Sequence, residues 1–585
     1  MLKIFPNTFE EKFCQDFSKE QPEYNWQILQ VANLFIDGKV DVFGIRCDLD
    51  KLLDNIDPTT GEKWPPKHYK EYRFHAGAAP GDVKFLWEYM KHNFLVSLGK
   101  AYLLTKDIRY VEKSKEFIEK WLEKTPDSIG VSWVGHVHMC QRMVNWFSWL
   151  DLTKGFSLLD AKFYAKVDEY IKKEVELLEA EYESPRNNHK LVSLVTILLC
   201  ELHFEDKSSE FWLEKLAETV ENLIYADGGF AEQSISYHRL CIEALLILGI
   251  AYTNYHMAVP DFILEAIKRS LDYFTALKTP AGSLPLIGDN SNEILIARPT
   301  DFWETEYLFQ LARYLGITVE STPKVDADAY FYVGKKTISQ AKPLPQTREC
   351  AFSKTGHFVI GNERDYAFLR AGEFGFYAPN SRSGHPHSHC DQLGVILYLD
   401  GLEILTDPGT YRYNENDFER MLMKDESFHS TFLVDNKHQG VYTSSFSYAK
   451  AVDGTGRIEQ GSIVGELQIG GVKAKRRVTL SPKSCLIEDT FLAEDNNKHN
   501  LQLYFCLHPR FTIVKTESTR VVLQHIGSRR FLAITHDTGT IPEILPGYVS
   551  REYNEALPNQ RLVFNLSLEE QREIKFHFQY VENKD

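Results

Sequence analysis

The spacing of apolar residues changes about halfway along this chain of 585 residues, and this change most limits what the chain can fold into. From about residue 85 to 315, apolar residues recur every three or four positions, which is the period of an amphipathic helix. This pattern predicts helices over 86–104, 108–123, 133–150, 159–181, 188–203, 208–224, 237–256 and 260–277. From about residue 350 onward, alternating and β-branched runs separated by turn signals predict strands.

The two patterns divide the chain into two large domains. We expect a helical domain over 1–325, a proline-containing linker over 326–349 and an antiparallel β-sandwich over 350–585. Short links between the predicted helices favour antiparallel neighbours within the first domain. The predicted fold class is therefore α+β with more than one domain.

Charge and cysteine content exclude several classes of protein. The net charge of −16 and the sequence pI of about 5.7 argue against a nucleic-acid partner, which needs clustered Lys and Arg. The nine cysteines are scattered and form no C-x-x-C pair, so we expect no disulfide framework and a reducing compartment. Because no apolar run resembles a signal peptide or a membrane span, we expect the cytoplasm for the sequence as it stands, or the periplasm if a leader preceded it.

The densest group of chemically active side chains lies in the stretch 384–392, Gly-His-Pro-His-Ser-His-Cys-Asp-Gln. If this stretch is a strand, His385, His387, His389 and Asp391 point to one face, since side chains alternate. Such a face favours a metal or catalytic centre over a solvated sheet surface or a loop. Asp407 and His429, each beside a predicted strand, are candidate further ligands of a zinc ion, although Asp407 before Pro-Gly also suits a turn.

Two polar clusters begin predicted helices in the first half. One is Arg-Asn-Asn-His at 186–189, where an Asn is a natural helix cap; the other lies at 227–239 and ends in Tyr-His-Arg. Together with polar residues of the helix predicted at 133–150, they predict a cleft lined by helix N-termini, which favour anions. The substrate-binding candidates from these clusters and from the histidine-rich stretch and its surroundings are Trp133, His136, Arg142, Asn187, Gln233, Arg239, Arg382 and His385.

The order of these motifs resembles the heparinase II/III-like polysaccharide lyases, a family that also includes oligoalginate lyases. The resemblance spans nearly the whole chain, and it is carried by the following motifs: Asn188-His189, Glu-Gln-Ser-x-x-Tyr237-His-Arg, His387-x-His389-x-Asp391, Asp407-Pro-Gly-Thr-Tyr and His429. It implies an incomplete (α/α) toroid followed by an antiparallel β-sandwich, with the active site between them.

The resemblance also implies roles for individual residues. Asn188 and His189 would face a substrate carboxylate, and Tyr237 and His387 would transfer protons. One structural zinc ion would be held by three ligands: His389, Asp407 and His429. Where some members of the family have an acid or amide three places after the His189 position, this chain has Val192, so Arg239 or Arg382 is a candidate replacement for charge neutralisation.

These residue types suit β-elimination from a 4-linked uronic acid. Donors bind the carboxylate, a base removes the C5 proton and an acid protonates the O4 leaving group. If the proton and the leaving group lie on one face, Tyr237 can serve both steps; if they lie on opposite faces, His387 abstracts and Tyr237 donates.

The acidic composition favours a glycan with little sulfate, such as heparosan, hyaluronan, alginate or a bacterial capsule. The alternatives are a zinc-dependent hydrolase and a non-catalytic glycan-binding or assembly protein of a surface-polysaccharide system. The sequence leaves open whether the chain forms a homodimer.

Overall fold

The computed structural model confirms that a helical first half is followed by an antiparallel second half. It describes residues 3–5, 9–74, 79–183, 187–205, 209–298, 301–320, 325–334, 347–376, 384–413, 417–444, 446–495 and 497–583. The described helices are α1 (Glu11–Glu20), α2 (Pro22–Ile36), α3 (Leu49–Leu53), α4 (Lys84–Met90), α5 (Asn93–Thr105), α6 (Arg109–Lys124), α7 (His136–Leu152), α8 (Ala161–Glu181), α9 (Asn188–Phe204), α10 (Ser209–Leu223), α11 (Ile235–Asn254), α12 (Asp261–Leu277), α13 (Glu306–Tyr314), α14 (Ala327–Val333) and α15 (Asp417–Lys424).

The strands form two hairpins and three larger antiparallel sheets within the described residues. The strands are β1 (Lys39–Val42), β2 (Ile45–Asp48), β3 (Thr347–Phe352), β4 (His357–Asn362), β5 (Tyr366–Arg370), β6 (Val395–Leu399), β7 (Leu402–Leu405), β8 (Phe432–Val434), β9 (Gly440–Ser444), β10 (Ser447–Ala451), β11 (Gly454–Glu459), β12 (Ser462–Ile469), β13 (Val472–Ser481), β14 (Ser484–Ala493), β15 (His499–Cys506), β16 (Phe511–Thr516), β17 (Arg520–His525), β18 (Phe531–His536), β19 (Glu543–Val549), β20 (Leu557–Leu568) and β21 (Gln571–Val581). The sheet orders are β3-β4-β5-β6-β7, β11-β12-β13-β14-β21-β18-β17-β16 and β19-β20-β15-β8.

The five-stranded sheet joins the two halves because both of its faces are buried. On strand β5, Phe368 packs into the core of the helical half, while its neighbours Ala367 and Leu369 pack into the core shared with the eight-stranded and four-stranded sheets. This follows from the alternation of side chains along a strand. The continuous burial of β5 and β6 explains why they read as unbroken apolar runs.

Helices α7, α9 and α11 place the polar clusters of the first half at one end of the helical half. Helix α9 packs against both α7 and α11. The chain returns through α8 and α10 between them, so the three helices run in the same direction and their N-termini lie together. Among the described helices, α11 alone is long and apolar enough to cross a membrane, and it is buried inside the protein over its length.

The sequence-based boundaries need three corrections. The helix predicted at 86–104 is broken at His92, which has a left-handed φ of 57°. The predicted linker at 326–349 begins with α14, whose Asp328 pairs with buried Lys100 at 3.4 Å; seven residues are too few for a helical period to show. Helix α15 interrupts the strand-rich half, where only strands were predicted.

Candidate active site

A cavity of about 510 Å³ lies where the N-termini of α9 and α11 meet the second half of the chain. Asn187, His189 and Tyr237 of the helical half line it together with His387 and Tyr413 of the second half. The predicted cleft between the two halves is therefore present, and it holds three of the four residues predicted to be catalytic.

Tyr237 and His387 contact each other on one wall of this cavity. Their rings stack with centroids 3.8 Å apart and an angle of 20° between the planes. The Tyr237 hydroxyl lies 2.7 Å from the hydroxyl of Tyr413 and accepts a hydrogen bond from Ser291 Oγ at 2.9 Å. Burial raises the pKa of Tyr237 well above its ordinary value, so at neutral pH the side chain is a protonated phenol able to donate a proton.

His387 is held at both ring nitrogens. Its Nδ1 lies 3.0 Å from Asp289 Oδ2, and its Nε2 lies 3.4 Å from Glu232 Oε2. Burial lowers the pKa of His387 to about 4, although Asp289 acts in the opposite direction. The imidazole is therefore neutral at pH 7 and can accept a proton.

The start of α9 presents Asn187 and His189 to the cavity but not Asn188. Asn187 caps the helix, since its side chain accepts from the backbone N–H of His189 at 3.3 Å. Burial, together with nearby His136 and His387, lowers the pKa of His189 to about 3, so it offers a neutral N–H donor. Asn188 is fully buried and donates its Nδ2 to Glu232 at 2.8 Å, which contradicts its expected contact with substrate.

The three predicted metal ligands lie together, although the strand predicted at 385–391 is absent and β6 begins only at Val395. The ligand atoms of His389, Asp407 and His429 are all within 4.8 Å of one another, and all three residues are buried. The stretch 384–394 instead forms turns, which place both His387 and His389 against the carboxylate of Asp289. His389 Nε2 lies 3.2 Å from Asp289 Oδ1.

The hydrogen bonds of these ligands favour a cation between them. His429 Nδ1 lies 2.8 Å from the carbonyl oxygen of Asp425 and donates to it, which leaves Nε2 unprotonated in the neutral ring. In the same way His389 donates Nε2–H to Asp289, which leaves Nδ1 unprotonated. These two nitrogens are 3.1 Å apart, and Asp407 Oδ2 is 3.3 Å from His429 Nε2. Three electron-pair donors facing one another suit a zinc ion, and the Asp289 contact is typical of the hydrogen bonds that orient metal-binding histidines.

Asp289 is the main residue of the site that the sequence analysis missed. It is fully buried and contacts both His387 and His389, and it also accepts from Arg420 at 2.6 Å and lies 3.4 Å from Lys424. These two cations, both on α15, hold the pKa of Asp289 well below its ordinary value. No local pattern marks this role, because the partners lie more than 90 residues away in sequence.

Three of the predicted substrate-binding residues are structural. Arg142 is fully buried and donates from Nε to Glu174 at 3.1 Å. Arg239 pairs with Glu243 at 3.3 Å, one helical turn along α11. Trp133 packs its ring near Tyr170, away from the cavity. Arg142 and Arg239 occupy polar helix positions because they carry ion pairs inside the core, not because they face a ligand, whereas Trp133 is a buried core residue.

The other predicted binding residues take different places. His136 is not among the residues that line the cavity, although its neighbours Gly135 and Val137 are, and it pairs with Glu181 at 3.3 Å. Gln233 is buried and donates to the carbonyl oxygen of Thr355 at 3.1 Å, which ties the two halves together. His385 lies in a left-handed backbone conformation beside Phe374, and Asp391 pairs with Arg370. Arg382 lies outside the described residues.

Replacing Arg239 by Ala should lower the free energy of unfolding by about 3–5 kcal/mol, because Glu243 would lose its buried cationic partner. Denaturant unfolding measures this change. Arg46→Ala is the matched control, since Arg46 pairs with Asp41 on the exposed surface and its loss should leave the free energy of unfolding almost unchanged. A loss of turnover without a loss of stability in Arg239→Ala would instead place Arg239 in the substrate site.

An aromatic wall on the helical side of the cavity also escaped the sequence analysis. Phe74 and Trp87 line the cavity with their ring centroids 5.4 Å apart. Exposed Arg73 stands beside them, whereas the nearby Lys84 is already paired with Glu293. Flat apolar rings beside hydrogen-bonding groups are suited to binding sugar rings.

Comparison with known proteins agrees with this architecture. The family profiles described as "Heparinase II/III N-terminus" and "Heparinase II/III-like, C-terminal" match residues 61–307 and 352–577. The chain is 21% identical to a heparin-sulfate lyase of Bacteroides stercoris over 541 residues, which cover 85% of this chain and 75% of that protein.

Two solved structures have similar folds. The crystal structure of heparinase III gives a TM-score of 0.69 at 13% identity and covers 100% of this chain and 87% of that one. The chondroitin AC lyase of Streptomyces coelicolor A3 gives 0.53 at 10% identity, with 96% and 83% covered. The two profiles follow each other along most of the chain in the order of its two halves, so the protein belongs to the heparinase II/III-like family and is a polysaccharide lyase.

Proposed function

We propose that this protein cleaves a uronate-containing glycosaminoglycan-like chain by β-elimination in the cavity between its two halves. The observation that carries the proposal is the contact of Tyr237 with His387 on one cavity wall, beside the donors of Asn187 and His189. Heparin-sulfate and chondroitin lyases among the similar proteins support a glycosaminoglycan as the substrate class.

In the proposed reaction, the C5–H bond and the C4–O4 bond of the uronate break and a C4–C5 double bond forms without water. Neutral His387 accepts the C5 proton, and the protonated phenol of Tyr237 gives its proton to the leaving O4. The donors at the start of α9 stabilise the negative charge that develops on the carboxylate. In this reaction Asn187 binds the substrate carboxylate, which is the role that the resemblance implies for Asn188.

The stacked rings favour one stereochemical case. Because Tyr237 and His387 are in contact, no sugar ring fits between them, and both reach the substrate from the same side. This arrangement supports elimination in which the C5 hydrogen and the O4 leaving group face one wall. The two steps are then divided between His387 and Tyr237, and not both carried by Tyr237 as expected for this case, because burial keeps the Tyr237 phenol protonated.

The charges around the cavity support a substrate with little sulfate. Exposed Arg73 lines the cavity and is available to an anion. Lys84 also lines the cavity, but it is paired with Glu293. The same Glu293 is paired with Lys91, whose Nζ lies 2.9 Å from Glu293 Oε2. A densely sulfated chain would need more unpaired cations than the described part of the cavity lining offers. A glycan whose main charges are its carboxylates fits better.

Two structural expectations remain proposals. We propose that the helical half is an incomplete (α/α) toroid and that the second half is a β-sandwich; the shared apolar core of its sheets supports the latter.

We also propose one structural zinc ion held by His389, Asp407 and His429. Bound there, zinc would fix the stretch that carries His387 relative to the strands around it.

The test is an assay of uronate polymers that differ in sulfation, followed by ultraviolet absorbance of the unsaturated product. We expect absorbance to rise with heparosan, hyaluronan or a similar carboxylate-rich chain. The matched control is the same polymer with its carboxyl groups reduced to alcohols, which should give no product because the C5 proton is then too weakly acidic. Cleavage of the reduced polymer would contradict elimination, and binding without cleavage of any uronate polymer would favour an assembly role.

A further inference from the structure

Glu232 is a buried carboxylic acid that the proposed chemistry does not use. It is fully buried in the turn that precedes α11. Its Oε1 accepts from the backbone N–H of Asn188 at 2.6 Å, and its Oε2 accepts from Asn188 Nδ2 at 2.8 Å. The same Oε2 lies 3.4 Å from His387 Nε2. Among the residues that the structure describes, no lysine or arginine forms an ion pair with it.

We propose that Glu232 is a positioning residue that couples the carboxylate-binding end of α9 to the imidazole of His387. This inference rests on the proposed lyase function and adds to it the buried side chain that sets the distance between the two parts of the site. Glu232 acts through Asn188 and His387 and does not itself touch the substrate.

The first contact fixes the start of α9. The N–H of Asn188 is one of the unpaired donors at a helix N-terminus, and Glu232 satisfies it from outside the helix. Asn187 and His189 flank Asn188 and face the cavity, so their positions depend on this bond. Asn188 itself is buried and does not reach the cavity. Its place at the centre of the motif is explained by its two hydrogen bonds to Glu232.

The second contact fixes the ring of His387. Asp289 lies between the cations of Arg420 and Lys424 and so accepts the proton of His387 Nδ1, which leaves the electron pair on Nε2. A protonated Glu232 donates only weakly to that nitrogen across 3.4 Å, so the contact orients the ring in the resting site and is given up when Nε2 accepts the C5 proton. Burial supports the protonated state of Glu232, since it raises the pKa of Glu232 to about 7 despite the hydrogen bonds from Asn188.

The test compares Glu232→Ala with Glu232→Gln. Glu232→Ala should lower kcat about 10²-fold, because both parts of the site lose their common support. Glu232→Gln should recover most of this loss. Its amide oxygen can accept from the backbone N–H of Asn188 and its NH2 can donate to His387, and the Asn188 side chain can turn its amide so that Oδ1 accepts the second N–H. The KM should change less than kcat, because the residue does not touch the substrate.

A readout that does not need turnover is the NMR signal of the His387 ring, assigned by its loss in His387→Gln. It should shift in Glu232→Ala and return toward the wild-type position in Glu232→Gln. The matched control is Asp160→Ala, which removes a side chain that only caps α8, by accepting from the N–H of Phe163 at 2.8 Å. This control should lower the unfolding temperature and change neither kcat nor the His387 signal.

Two outcomes separate this inference from the proposed function. If Glu232→Ala resembles Asp160→Ala, with a lower unfolding temperature but an unchanged His387 signal and kcat, the coupling role is overturned. If the wild-type protein eliminates no uronate polymer but the His387 signal still shifts in Glu232→Ala, the coupling stands and the lyase proposal fails.

Discussion

Tyr237→Phe is expected to lower kcat on the cleaved polymer by about 10³-fold while the protein still binds that polymer. The substitution removes only the hydroxyl, which we propose as the proton donor to O4, and leaves a ring that can stack on His387. Initial rates from ultraviolet absorbance give kcat, and titration of a saturating oligosaccharide gives the affinity. The unfolding temperature should change little, because the ring packing is kept.

Tyr413→Phe is the matched control for this prediction. Its hydroxyl lies 2.7 Å from that of Tyr237, so the variant removes a neighbouring hydrogen bond but not the proposed donor. We expect a loss of about tenfold, in line with the roughly 1 kcal/mol of one hydrogen bond. If Tyr413→Phe lost more activity than Tyr237→Phe, the proton donor would be Tyr413.

If the proposed zinc ion is bound, its removal by a chelator should lower the unfolding temperature by about 10 °C. A site saturated about a thousandfold above its dissociation constant contributes about 4 kcal/mol to folding, and each kcal/mol corresponds to about 2–4 °C for a unit of this size. His429→Ala should unfold at the temperature of the chelated wild-type protein and should not respond to added zinc. Calorimetry and metal analysis of the purified protein measure both effects.

His438→Ala is the matched control for the metal. His438 is exposed, and its Nδ1 lies 3.0 Å from Asp425 and 2.9 Å from Glu426, so it belongs to a second group with the spacing of metal ligands. We expect that this variant keeps the zinc content and the chelator response of the wild-type protein. A wild-type protein that purifies without metal, at full stability, would contradict the zinc assignment.

The sequence predicted the helices well because their signal is local and repeated. Helices α6 to α12 begin and end close to the predicted limits, since each buries one face over several turns. The break at His92 was not predictable in this way, because it depends on one residue with a left-handed φ. The short helix α15 was missed because eight residues show too little of the helical period.

The candidate site was predictable in its residue types but not in its geometry. The stretch 385–391 alternates like a strand, yet it folds as turns, and a shared contact with Asp289 brings His387 and His389 together instead. Asp289 could not be found because its partners are distant in sequence. The structural role of Arg239 could have been found, since Glu243 lies four residues later on the same helix.

The most direct test of the lyase account is cleavage of the preferred uronate polymer in heavy-oxygen water, followed by mass spectrometry of both fragments. Elimination without water predicts that the two fragment masses add up to the mass of the parent chain. The label should enter only by exchange of the new reducing-end hydroxyl with solvent, at the rate measured when the finished products are incubated in the same water. Heavy oxygen in one of the new ends, with the mass of one added water, would show hydrolysis and contradict the account.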